Sequence, residues 1–329
     1  MGPRISPRPR VARPWSERPE GFGAAVLLDQ SAFESVVGPW AREKLEHLRK
    51  YLDAYTKIMR KKTWCKGFVY VDAFAGPGRH KLRLPPRGEA EQRELIDLDA
   101  SGEDDAGERA FIAGSPKVAL ESAYPFSWYV FLEKDPDRVA ALRSLAREYG
   151  ETRNVAIRQV DCGTYLRTRL VDNPKINWRE WRAVVFLDPF GMQVTWDTMT
   201  ALAKTRAIEV FVNFPVGMAI QRLLLRSGQF DSGRRARLDS YFGSPEWFDL
   251  LYTREKTLFG ESQVVKRRES GHALVRWYRD RLRKEFGYAS RAALIRNTAG
   301  GHLYYLLLAT PNRTGLRIAN HVLSAGESV

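Results

Sequence analysis

Phe68-Val69-Tyr70-Val71-Asp72-Ala73-Phe74-Ala75-Gly76-Pro77-Gly78 is the stretch that decides how the rest of the chain is read. A short apolar run ends in an acid and passes straight into a glycine-bearing turn, the pattern of a parallel strand buried on both faces. In open α/β sheets, ligands lie beyond the carboxyl ends of such strands, where glycine lets backbone approach them closely. Arg79-His80-Lys81 follows Gly78, so the third glycine of a nicotinamide or flavin fingerprint is missing. No Gly-Lys-Ser or Gly-Lys-Thr closes the turn, which excludes a Walker phosphate loop.

The same rhythm continues outward. Trp128–Glu133, Val155–Val160, Ala183–Leu187 and Ala207–Val212 read as strands, with helices predicted over Pro136–Tyr149 and about Trp196–Ala203. Strands alternating with helices of this length imply crossover units and a mostly parallel sheet. Ala292-Ala293-Leu294-Ile295 and Leu303–Ala309, separated by Gly300-Gly301, predict a closing antiparallel hairpin. Upstream, Trp40, Leu45, Leu48, Leu52, Tyr55 and Ile58 place an amphipathic helix from about Pro39 to Arg60, while Gly114–Leu120 begins the first crossover helix. The expected fold class is therefore α/β: a Rossmann-like class I methyltransferase sheet, mostly parallel with a terminal antiparallel hairpin, plus a helical insertion.

Composition divides the chain further. Residues 1–35 form a Pro/Arg-rich arm and lead-in, and residues 36–329 the methyltransferase-like domain. Within that domain we expect an acidic insertion at 85–110, containing Glu103-Asp104-Asp105, and a largely helical insertion at 216–286. With 329 residues, 44% of them hydrophobic, a sizeable core is expected. Cys65 and Cys162 cannot build a disulfide framework, and five scattered histidines offer no compact ligand spacing, so no metal site is predicted. No run of 18 apolar residues occurs, and the first residues lack the apolar segment of a signal peptide, so a cytoplasmic setting is expected. A net charge of +14 should concentrate polyanions, with nucleic acid the leading partner; charge does not separate RNA from DNA.

Three acids terminate successive strands. Glu133 is placed to accept two ribose hydroxyls, Asp161 to accept from an adenine amine, and Cys162 with Gly163 to form a small, close wall. An acidic crevice suits a sulfonium and an ammonium better than a diphosphate, which points to S-adenosylmethionine. The expected cofactor-binding set is Asp72, Phe74, Gly76, Gly78, Glu133, Asp161 and Cys162. Each acid alone also fits a helix cap, and the glycines also fit a plain structural turn.

Beyond the fourth strand, Asp188-Pro189-Phe190-Gly191 forms the candidate reacting edge. Asp188 and the Pro189 carbonyl would accept from an exocyclic amine while Phe190 stacks on the base. Asn213, with Phe214-Pro215, forms a second wall, and the expected catalytic set is Asp188, Pro189, Phe190 and Asn213. The alternatives are that Asp188 merely ends a strand with Phe190 in the core, and that Asn213 caps a helix. Arg222, Arg226, Arg234, Arg235, Arg237 and Lys266-Arg267-Arg268 could meet phosphates, with Tyr241, Trp247, Trp277 and Tyr278 either stacking on bases or filling the core.

Gly38-Pro39-Trp40, Tyr70–Gly78, Gly114-Ser115-Pro116, Phe186-Leu187-Asp188-Pro189-Phe190-Gly191-Met192 and Leu303-Tyr304-Tyr305-Leu306 together resemble the bacterial three-Cys-motif partner proteins, TcmP. The resemblance spans about Val36 to Ala319. It implies a methyltransferase-like fold and a separately encoded three-Cys-motif protein as partner. The Asp188 element also resembles the Asp-Pro-Pro-Tyr or Asp-Pro-Pro-Phe motif of amino methyltransferases, with one proline missing. Three functions stay open: S-adenosylmethionine-dependent methyl transfer to a base amine of nucleic acid, a non-catalytic nucleic-acid-binding partner module, and a magnesium-dependent nuclease using Asp72, Glu133 and Asp188.

Overall fold

The computed structural model describes residues 35–37, 40–82, 111–220, 223–225, 227–256, 262–267, 270–297 and 300–325. In chain order its strands and first helices are β1 (Ser35–Val37), α1 (Trp40–Met59), β2 (Gly67–Asp72), β3 (Arg79–Leu82), β4 (Phe111–Ala113), α2 (Ser115–Leu120), β5 (Trp128–Glu133), α3 (Pro136–Tyr149), β6 (Val155–Gln159), α4 (Cys162–Tyr165), β7 (Trp181–Leu187), α5 (Trp196–Lys204) and β8 (Ile208–Phe214). The remaining strands are β9 (Tyr252–Lys256), β10 (Ser262–Lys266), β11 (Tyr288–Ala289), β12 (Ala293–Arg296) and β13 (His302–Thr310). Longer helices over Ser232–Phe242, Ser270–Phe286 and Arg313–Val322 complete the frame.

The molecule is a mixed α/β fold on a mostly parallel central sheet. Its strand order is β11-β13-β8-β7-β2-β5-β6, with β12 also pairing to β13. The pairs β2–β5, β2–β7, β5–β6 and β7–β8 are parallel, whereas β13 runs antiparallel to β8, β11 and β12. Alternation along the strands divides the core. Tyr70, Val184 and Phe211 pack with Leu48, Tyr51 and Leu52 of α1 and Leu142 of α3. Val69, Val71, Val185 and Val210 face Met199 and Leu202 of α5 and Leu274 and Tyr278 of the helix Ser270–Phe286. Strands covered on both sides carry no polar alternation, which is why β2 and β8 are continuously buried.

Gly78 leads into β3 rather than a helix. β3 pairs with β4 antiparallel and with β1 in parallel, and Gly114 then donates its N–H to the Gly78 carbonyl at 2.8 Å. That contact returns the chain to the glycine turn before α2 begins. A Cβ on Gly114 would stand 2.7 Å from the Gly78 oxygen, so only glycine permits it without displacement. The arm at 1–35 apart from Ser35, the acidic insertion at 85–110, and Gly38-Pro39 lie outside the described residues.

Within residues 216–286 the helices over Ser232–Phe242 and Ser270–Phe286 are accompanied by β9 and β10, which pair antiparallel in the register Tyr252↔Lys266 to Lys256↔Ser262. Over five residues, one buried aromatic among exposed charges carries no period that separates strand from helix. In addition, β8 extends to Phe214, so Asn213 sits inside the strand opposite Leu306 rather than in the connection after it. Its role is therefore not that of a helix cap. No helix among the described residues is long and apolar enough to cross a membrane.

Candidate functional site

The parallel register brings the ends of β2, β5 and β7 together, with Asp72 beside Phe131 and Phe186. The turn after β2 is joined directly to β5: Gly76 N–H donates to Glu133 Oε2 at 3.0 Å. Glu133 Oε1 accepts from the N–H groups of Lys134 at 2.7 Å and Asp135 at 3.0 Å. Gly76 and Gly78 have φ of +60° and +81°, the left-handed region that favours glycine. At Gly78 a side chain would also collide with Leu145 of α3, 2.5 Å from the position of its Cβ. Backbone geometry and helix packing therefore account for Gly78 without a ligand.

Asp72 is fully buried beneath this turn. It accepts from the Tyr70 hydroxyl at 3.1 Å, the Phe74 N–H at 3.3 Å and the Ser115 side chain. Burial pushes its carboxyl up to about 7, against the lowering effect of those donors, and the charge of Asp188 adds to the rise. Phe74 is half-buried. Asp161 caps α4, accepting from Thr164 N–H at 3.0 Å, while its other oxygen lies 3.1 Å from Lys134 Nζ. The Thr164 N–H and Lys134 hold that carboxyl below its usual range. Cys162 is buried beside it, and burial pushes its thiol up to about 12.

At the end of β7, Asp188 is gripped from two sides. Lys44 Nζ of α1 lies 2.5 Å from Oδ2, and Asn213 Nδ2 of β8 donates to Oδ1 at 2.6 Å. A carboxylate only accepts, so this bond fixes the amide orientation and turns Asn213 Oδ1 away, buried and without a hydrogen-bond partner. The Tyr304 hydroxyl is likewise buried and unpartnered, and Lys44 Nζ stands 5.4 Å from its ring centroid. Burial, with the charge of Asp188, pushes the Tyr304 phenol upward. Pro189 is buried, but Phe190 is 78% exposed, so it is not a core residue. Its N–H donates to Gln193 Oε1 at 3.0 Å, and the Arg138 guanidinium lies 5.9 Å from its ring.

Lys44, Tyr304 and Lys134 were not singled out from the sequence. Lys44 had a signal: it heads the stripe Lys44, Leu48, Tyr51, Tyr55, spaced as one face of a helix whose other members are buried. A cation in an apolar stripe needs a partner. Asp72, Glu133 and Asp188 each have separate partners, and no group of three His, Cys, Asp or Glu among the described residues could hold a metal ion.

The basic–aromatic cluster resolves differently from its stacking alternative. Tyr241, Trp247 and Tyr278 are buried core residues, and the partly buried Trp277 packs against that core. Arg234 and Arg235 pair with Asp231 and Asp239, while Arg222, Arg226 and Arg268 are not among the residues whose side chains are described. An open groove of about 710 Å³ between α1 and the Arg313–Val322 helix is lined by Lys50, Asp53, Arg317 and His321; none of the expected site residues borders it.

No family model matches this sequence, and no curated protein matches it. Among solved structures, the chain is similar to protein LPL1258 of Legionella pneumophila, described by the DUF519 family model, at 13% identity and a TM-score of 0.45, over 87% of this chain and 92% of that one.

Proposed function

We propose that the protein is a Rossmann-like, class I S-adenosylmethionine-dependent methyltransferase acting on an exocyclic amine of a nucleic-acid base. The observation that carries this reading is the Asp188–Asn213 pair beside exposed Phe190, on the same sheet edge as the Glu133–Gly76 contact. Neither the family nor the reaction follows from the structural similarity above.

The residues present fit the cofactor. Glu133 uses three N–H donors, two on Oε1 and one on Oε2, leaving one acceptor position on Oε2 for a ribose hydroxyl. Asp161 keeps about half its side chain exposed (49%) for an adenine amine. Buried Asp72 acts by holding the Phe74 N–H and Ser115, and so the turn, rather than by touching a ligand. When bound, the sulfonium supplies an electrophilic methyl whose leaving thioether needs no proton. Asp188 and the Pro189 carbonyl direct the amine, Phe190 stacks on the base, and the Asn213 amide N–H holds Asp188 in place. Lys44 compensates the charge of Asp188 and holds it in place.

That same ion pair supports a second reading. Lys44 already occupies one oxygen of the acceptor, as it would in a non-catalytic nucleic-acid-binding module. The resemblance to TcmP proteins adds a three-Cys-motif protein as proposed partner under either reading. The nuclease alternative lacks support, because its three acids do not form a ligand group.

The test is to incubate the protein with methyl-labelled S-adenosylmethionine and separate RNA and DNA pools. Label transfer by the wild type, lost in Asp188→Ala, supports the enzyme. Nucleic-acid binding without transfer favours the module.

A further inference from the structure

The opposite edge of the sheet carries a second assembly of charge and aromatic surface. Between α1 and β2 the chain runs Arg60-Lys61-Lys62-Thr63-Trp64-Cys65-Lys66. Cys65 N–H donates to the Lys62 carbonyl at 3.1 Å, closing a turn with Thr63 and Trp64 at its tip. Trp64 is 48% exposed, and among the described residues only Phe190 shares that standing as a large exposed apolar side chain.

Its indole is held rather than loose. The Arg182 guanidinium lies 4.3 Å from the ring, and Arg182 Nη1 donates to the carbonyls of Trp178 at 2.8 Å and Trp181 at 2.7 Å. A cation fixed by backbone thus covers one face of the ring, while about half of the residue stays exposed. A flat apolar surface ordered in advance loses little freedom when a ligand stacks on it. Around it stand exposed Lys57, Arg60, Lys61, Lys62 and Lys66. Arg60 stacks on Tyr124 at 3.8 Å, and Glu180 pairs with Lys66 at 2.8 Å. No described carboxylate pairs with Lys57, Arg60, Lys61 or Lys62, so the local charge stays positive.

We propose that the Arg60–Trp64 turn binds single-stranded nucleic acid, one base stacking on the exposed part of Trp64 and phosphates lying on Arg60, Lys61 and Lys62. A cationic track beside an ordered ring is the combination that holds unpaired strands. Duplexes keep their base faces inside the stack, and acidic peptides offer no ring to the indole. β2 separates the turn from Asp72 by roughly 16 Å at about 3.3 Å per residue. This surface therefore lies apart from the proposed reacting edge and does not depend on methyl transfer.

The test measures anisotropy of labelled oligo-uridine RNA, oligo-thymidine DNA and a mixed duplex with the full-length protein, from about 50 to about 200 mM salt. The proposal expects single strands to bind more tightly than duplex, with the RNA and DNA arms reporting the preferred sugar. Trp64→Ala should weaken single-strand binding at least about fivefold. Lys61→Ala with Lys62→Ala, both exposed positions, should lower the log–log salt slope by about 1.4. Wild-type affinity and slope in both variants overturn the proposal, as does equal competition by polyglutamate. S-adenosylmethionine is absent throughout, so failure of the proposed enzyme activity would leave this result unaltered.

Discussion

Lys44 and Asp188, 144 positions apart in the chain, meet at 2.5 Å and tie the first helix to the end of β7. Both side chains are mostly withdrawn from water, at 13% and 21% exposure, so neither charge is easily left alone. Lys44→Met should lower stability by about 1–3 kcal/mol. Asp188→Asn in the same chain should restore part of that loss, and urea unfolding of the four proteins in the cycle measures the coupling. Simple additivity would show that the pair does not interact energetically.

The glycine turn makes a prediction about packing. Gly78→Ala places a Cβ at φ +81° and against Leu145, and Gly114→Ala drives one into the Gly78 carbonyl. Each should cost roughly 1–3 kcal/mol, read as a fall in the thermal midpoint. Gly287→Ala has φ +100° but nothing within 4 Å, and so isolates the backbone contribution from the collision.

Stability should depend on pH through Glu209. This acid is buried in β8, where it accepts from the Tyr51 and Thr310 hydroxyls, and burial pushes it from 4.5 up to about 7. Between those values the native state holds a proton that the unfolded chain has released. Its contribution is full below about 4.5 and is lost as pH rises through about 7. Glu209→Gln should flatten the decline in urea midpoint between about pH 5 and about pH 8. Asp72, raised to about 7 from 3.8, acts in the same direction and should leave a residual slope in that variant.

Much of the scaffold was legible because its signals were local. β5 and α3 coincide with the reading of Trp128–Glu133 and Pro136–Tyr149, where a bare apolar run meets Asp135-Pro136, a capping acid followed by a proline that starts the helix. The carboxyl-edge placement of Asp72, Glu133 and Asp188 followed from the same rhythm. Their partners did not. Lys44 reaches Asp188 only through tertiary packing of α1, and Tyr304 lies on a strand that returns antiparallel from far downstream. In the insertion, Tyr241, Trp247 and Tyr278 among arginines fit either a stacking surface or a core by composition, and in the structure these rings close a core. Exposure of Phe190 and Trp64 depends on what fails to cover them, which no local pattern encodes.

Under the proposed chemistry, binding and transfer separate by residue. Asp188→Ala should leave cofactor affinity within about twofold and reduce kcat by about 100-fold, since the amine loses its anchor, while the loss of a partner for Lys44 is read separately as a fall in stability. Phe190→Ala should chiefly raise KM for the nucleic acid, as expected of a ring that is 78% exposed and contributes stacking. Steady-state kinetics on whichever pool accepts label would measure both.

Calorimetric titration of wild type, Glu133→Ala and Asp188→Ala with S-adenosylmethionine and S-adenosylhomocysteine tests the account at its centre. It predicts one site in the wild type, binding at least about tenfold weaker once Glu133 no longer accepts from Gly76 and the ribose, and unchanged binding in Asp188→Ala. No heat of binding in the wild type, or equal affinity in Glu133→Ala, would contradict it.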